Sequence, residues 1–278
     1  MNPILVAIDF SECSINALEH ALSISEKSNS DIHMVWVRRP ESAKEIGIDE
    51  QADIEDVVKG KFNELIKRFE KYECNIQFEL LNGKIHQEVV KYAEEIDAFL
   101  ILTGAHGASG FEELWLGSNA NKIISSTILP VITIREKVDI SQNLEIIVLP
   151  IDSTPETRQK ILFTSILAGY FDAEIHILGL YSNKTRKLAE RVDKYVKQIA
   201  EYLEEDQIRC IVIHKDVDHI TRDTIEYAKS VNANLIVIMT EQERSAGNLL
   251  LGPYAAQMVN HSPIPVLSIR PKPVLTEE

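Results

Sequence analysis

The chain has 278 residues, 45% hydrophobic and 26% charged, with a formal net charge of −14. The length suggests two domains, and the balance is that of an ordinary globular protein. So negative a chain excludes nucleic-acid binding through a general basic footprint and argues against an anionic membrane surface. A local phosphate site built from backbone N–H groups stays open.

The first residues, "MNPILVAIDF", have neither a basic n-region nor a long apolar h-region, so no signal peptide is expected. No apolar run approaches the roughly 18 residues of a spanning helix. Cys13, Cys74 and Cys210 are far apart and form no CxxC pair, and they read as reduced thiols in a cytoplasm.

In chain order, Ile4–Ile8 is a short continuous apolar run, expected as a buried parallel strand. Ser11 or Ser14 can cap the helix after it, with Ile15, Leu18 and Leu22 on one face. "DIHMVWV" is the second strand. Ile54, Val58, Phe62, Leu65, Ile66 and Phe69 recur at helical spacing. Ile76–Leu81 is the third strand, Ile85, Val89, Ala93 and Ile96 mark a helix, and "AFLILT" is the fourth strand. A helix is expected after Gly117, and "PVITIR" is the fifth strand. Strands separated by helices imply right-handed crossovers and a parallel sheet covered on both faces.

The chain then repeats itself. "ILVAIDFSE" is answered by "IVLPIDSTPE", "VVKYAEEIDAFLIL" by "TIEYAKSVNANLIV", and "LWLGSNANKIISSTILPVITIR" by "LLLGPYAAQMVNHSPIPVLSIR". Matching residues lie closer together late in the halves than early, so the second half has lost residues. The loss is expected in the polar stretch around Pro40–Asp53. A repeat of this length is a duplicated domain. The halves are taken as 1–138 and 143–278, divided in the polar segment Glu136–Asn143.

The fourth strand runs into "GAHGASGFEELWLGS", Gly104–Ser118. In an open α/β sheet, ligands sit beyond the carboxyl ends of strands, near a switch in strand order. Gly104 and Gly107 can take positive φ and let the backbone approach a ligand. Gly117-Ser118 precedes a helix, where free N–H groups and the dipole favour phosphate and a hydroxyl adds a donor. The stretch is not a Walker A loop and not a G-x-G-x-x-G dinucleotide fingerprint. His106 reads as a solvated loop histidine and Trp115 as packing. The histidines form no H-E-x-x-H metal spacing.

Gly104, Gly107, Gly117 and Ser118 stand as G-x2-G-x9-G-S. With the early strand-Asp, the βα order and the closing Pro-Val-x-x-Ile-Arg strand, this resembles the universal stress protein family, over nearly the whole chain, as two tandem domains. The resemblance implies flavodoxin-like, five-stranded parallel sheets paired through their fifth strands, here "PVITIR" with "PVLSIR". It implies a bound ATP, AMP or ADP, with or without Mg²⁺. Carried over by position, Asp9 matches the acid near the adenosine, a role compatible with capping the following helix as well. Val37 matches a backbone contact to adenine. Gly104, Gly107, Gly117, Ser118 and the amide of Asn119 match the ribose and phosphate contacts.

The second half departs from the pattern. Gly104 corresponds to Met239, Gly107 to Gln242 and Ser118 to Pro253, while Gly252 remains. Proline removes an N–H, the side chains crowd the approach, and Glu241 and Glu243 add negative charge. The second half is therefore expected to bind no nucleotide. The expected function is a cytoplasmic, nucleotide-responsive stress-response module, paired domain to domain within the chain and open to forming a homodimer. The alternatives are a slow ATP-hydrolysing enzyme and a nucleotide-free interaction scaffold. No catalytic residue is assigned, because H-I-G-H and S-G-G-x-D-S stretches are absent.

Overall fold

The computed structural model describes residues 2–39, 53–105, 118–135, 143–181, 185–240, 242–245 and 248–272. The chain divides into two compact units, Met1–Lys137 and Val138–Glu278. The first contains β1 (Ile4–Ala7), α1 (Glu12–Ser28), β2 (Ile32–Arg38), α2 (Ile54–Arg68), β3 (Ile76–Asn82), α3 (Ile85–Glu95), β4 (Leu100–Gly104), α4 (Ser118–Ser126) and β5 (Val131–Ile134). Its strands lie in the order β3-β2-β1-β4-β5, all parallel.

The apolar runs explain this order. Ile4, Leu5 and Val6 of β1 and Leu100, Ile101 and Leu102 of β4 are fully buried. Strands with both faces covered belong in the sheet centre, and β1 pairs β4 in the register Ile4↔Leu100 to Ala7↔Thr103. On α1, Leu18 and Leu22 are buried as the spacing predicts, with Ala17, Ala21 and Ile24 beside them. Ser11 is its N-cap and accepts the Ser14 N–H at 3.3 Å. Asn29 ends it in the left-handed conformation (φ 52), which lets a side chain that tolerates positive φ close the helix.

The second unit contains β6 (Ile146–Ile151), a 3₁₀ turn (Pro155–Arg158), α5 (Ile161–Phe171), β7 (Glu174–Tyr181), α6 (Arg186–Glu205), β8 (Cys210–Asp216), α7 (Ile220–Ser230), β9 (Leu235–Met239), β10 (Gln242–Ser245), β11 (Asn248–Leu251), α8 (Pro253–His261) and β12 (Val266–Ile269). Five of its strands form a parallel sheet in the order β12-β9-β6-β7-β8. The repeat extends to backbone detail. Asp172 closes α5 with φ 50 as Asn29 closes α1, and Asp97 (φ 53) is matched by Asn232 (φ 52).

One expectation about the repeat holds and two features differ from the sequence reading. The first helix of the second half is delayed, with a 3₁₀ turn where α1 already has helix. As expected for a loss around Pro40–Asp53, the connection from β2 to α2 spans Arg38 to Ile54, whereas that from β7 to α6 spans only Tyr181 to Arg186, with α6 longer than α2. Beyond β9, where the first half has its glycine stretch, β10 and β11 form an antiparallel pair, Gln242↔Leu251 to Ser245↔Asn248.

Candidate functional site

The strand order of the first half reverses at β1. The chain builds outward through β2 to β3 on one side and through β4 to β5 on the other. Crossovers leave in opposite directions from such a pair, which opens a crevice at the carboxyl ends of β1 and β4. Asp9 follows β1 and Gly104 ends β4, so the topology brings these two to the same crevice.

The Asp9 carboxylate accepts the Ser11 N–H at 3.0 Å and the Ser11 hydroxyl at 2.5 Å through Oδ1. The Asp9 N–H in turn donates to Ser14 Oγ at 3.3 Å, and Ser14 Oγ donates to the Ser11 carbonyl at 2.9 Å. This Asx turn, with Ser11 as N-cap, holds the start of α1. The second half repeats it. Asp152 Oδ1 accepts the Thr154 N–H at 2.8 Å and its hydroxyl at 2.5 Å, and the Asp152 N–H donates to Thr157 Oγ1 at 3.3 Å. The acid therefore has a structural task in both halves, and its presence alone does not mark a ligand site.

Val37 is buried on β2, and its backbone is what it presents at the strand end. The β1–β2 ladder closes with the Ile8 N–H donating to the Val35 carbonyl at 2.9 Å. Backbone polar groups two residues apart on a strand face the same side. Those of Val37 therefore face the β1 side as those of Val35 do, but past the last residue of β1. Arg38 faces the other way, its carbonyl accepting the Gly83 N–H at 3.4 Å.

Gly104 does not take positive φ; among the described glycines only Gly83 does (φ 146). What Gly104 provides is room. A Cβ there would stand 2.8 Å from Cys13 Cβ and 3.0 Å from Ser14 N, so the first turn of α1 lies directly on the end of β4. Gly107, Gly117, His106 and Trp115 lie outside the described residues. Ser118 begins α4, and Asn119 follows it, half-buried.

In the second half, Met239 stands at the Gly104 position, buried at the end of β9, and the helix start packed against that strand is the 3₁₀ turn rather than α-helix. Side-chain volume at the strand end and a displaced helix start belong together. Pro253 is the first residue of α8, a place where its missing N–H costs the helix nothing but removes a donor a phosphate would use. Gly252, just before it, has φ −59 and needs no glycine backbone.

Two side chains were not singled out from sequence. Phe10 has φ 63 at the turn after Asp9. Lys160, at the position of Ala17 in the first half, is only 3% exposed and donates to Thr157 Oγ1 at 3.1 Å. Burial pushes its pKa down to about 8, against an upward pull from Asp152. Nothing in a single sequence marks a lysine as buried, whereas Ser14 was visible as a possible helix cap. Among the described residues there is no group of three or more His, Cys, Asp or Glu side chains arranged to hold a metal, and no helix long and apolar enough to cross a membrane.

Comparison with known proteins identifies the family and the fold. The model of the universal stress protein family matches residues 1–135 and again 143–270. Universal stress protein MJ0531 of Methanocaldococcus jannaschii is 26% identical over 140 residues, 48% of this chain and 81% of that protein. Universal stress protein YxiE of Bacillus subtilis is 28% identical over 149 residues, 48% of this chain and 99% of that protein. The crystal structure of a universal stress protein from Archaeoglobus fulgidus shares the fold with a TM-score of 0.76 at 18% identity, covering 97% of this chain and 98% of that one. The chain belongs to the universal stress protein family and carries two of its domains in tandem.

Proposed function

We propose that the first half binds one adenine nucleotide, ATP or its di- or monophosphate with or without Mg²⁺, in the crevice between β1 and β4. The second half binds none, and the chain acts as a nucleotide-responsive stress-response module. The observation that carries the reading is the backbone of Val37, aimed past the end of β1 toward the side where Asp9 begins its turn. Such a backbone edge suits the hydrogen-bonding edge of adenine, and a carboxylate beside it suits a ribose hydroxyl. The spacing of Gly104, Gly107, Gly117 and Ser118 supplies the phosphate end of the same site. The loss of that pattern at Met239, Gln242 and Pro253 supports a nucleotide-free second half.

Pairing of the two halves through their fifth strands, within one chain or between two, belongs to the same reading, and sedimentation of the full chain measures the resulting state. The three free cysteines are in keeping with a reducing cytoplasm. Calorimetric titration with ATP, ADP and AMP tests the site. Binding by the wild type that is lost in Gly117→Asp supports it, and equal binding by both proteins refutes the assignment.

A further inference from the structure

We infer that Phe10 is a positioning residue for the nucleotide, acting through a left-handed backbone that its ring contacts hold in place. Phe10 has φ 63, a region that a bulky L-residue enters at a cost. The duplication supplies an internal control. The left-handed Asn29, Asp97, Asp172 and Asn232 form two matched pairs in the halves, and all four are Asn or Asp, which tolerate this region; the other unmatched residue, Gln207 (φ 57), lies beyond the end of α6 before β8, away from the crevice end of the sheet. Phe10 has no such match, because its counterpart Ser153 is not among the residues with positive φ.

The strain is not required by the turn itself. The Asx turn has the same carboxylate bonds in both halves, Asp9 to Ser11 and Asp152 to Thr154. The chain also leaves the two turns alike, with Ser11 at φ −70, ψ 158 and Thr154 at φ −78, ψ 141. What the sign of φ at the intervening residue changes is the face of the peptide between the acid and that residue, as it distinguishes type II from type I turns. The Asp9–Phe10 peptide is therefore turned over relative to the Asp152–Ser153 peptide. That peptide borders the crevice in the half whose glycine pattern is intact, and the relaxed form occurs in the half that has lost it.

The ring supplies the restraint. It lies 5.1 Å from the ring of Phe62 on α2, tilted by 58°. Phe62 is fully buried and stacks on Phe78 of β3 at 4.6 Å. Lys61 Nζ sits 5.5 Å from the Phe10 ring centroid. These contacts tie the strained turn to α2 and β3, and in the second half Arg191 instead donates to the Ser153 carbonyl at 3.4 Å.

The inference rests on the proposed nucleotide site. Calorimetric titration with ATP of the wild type and of Phe10→Ser, Phe10→Gly and Phe10→Tyr tests it, with ligand-free thermal unfolding to confirm that each variant folds. The serine variant, which carries the residue of the second half, is expected to lose affinity by about tenfold, the scale of one hydrogen bond misplaced. Tyrosine keeps the ring and stays within about twofold of the wild type. Glycine takes positive φ without strain and binds more tightly than serine. Wild-type affinity in the serine variant overturns the inference, and so does an equal loss in glycine and serine, which would assign the effect to the ring rather than the backbone. A wild type that binds no adenine nucleotide overturns the site and this inference together, whereas binding unchanged by all three substitutions overturns the inference alone.

Discussion

A Cβ atom added to Gly104 would stand 2.8 Å from Cys13 Cβ, closer than such atoms approach. The end of β4 and the first turn of α1 are in contact there, and the glycine is a packing requirement before it is a ligand requirement. Gly104→Ala is therefore expected to destabilise the first half by about 1–3 kcal/mol, the usual cost of overpacking. The backbone on both sides of the clash leaves little else to move. Urea unfolding measures this, and an unchanged midpoint would show that α1 shifts freely.

The caps of the two helix starts differ. Ser11 Oγ accepts the Ser14 N–H at 3.3 Å, whereas Thr154 makes no such cap bond. Ser11→Ala should cost about 1 kcal/mol and Thr154→Ala clearly less. Equal losses on thermal unfolding would mean that the hydroxyl-to-carboxylate bond, common to both, dominates.

Lys160 makes the second half sensitive to alkaline pH. Its folded pKa of about 8 lies below the ordinary lysine value of 10.5. Between these values the unfolded chain holds a proton that the folded chain has released, so stability rises with pH across that window. Below about pH 8 the full penalty of a buried charge applies, on the order of 3 kcal/mol. Lys160→Met should remove this rise and be more stable than the wild type at neutral pH. The difference between the two proteins in denaturant midpoint from pH 7 to 10.5 is the readout, and a constant difference would contradict it.

The sheet was legible because parallel strands covered on both faces become continuous apolar runs, as at Ile4–Val6 and Leu100–Leu102. Asp9 and Val37 were assigned by the family resemblance, at the ends of strands that those runs define. The reason for Gly104 was not legible, because it depends on Cys13, a residue far away in sequence that the fold brings against it. The strand pair β10–β11 was missed because Gln242–Ser245 is a polar run without the alternation that marks a strand. Phe10 was missed because nothing in an aromatic residue announces a left-handed backbone.

The asymmetry between two copies of one domain is the central claim, and the stoichiometry of nucleotide binding tests it most directly. Calorimetric titration of the full chain with ATP should give one nucleotide per chain, lost in Gly117→Asp and kept in Asp152→Ala. Two nucleotides per chain, or binding that survives Gly117→Asp and disappears in Asp152→Ala, would contradict it.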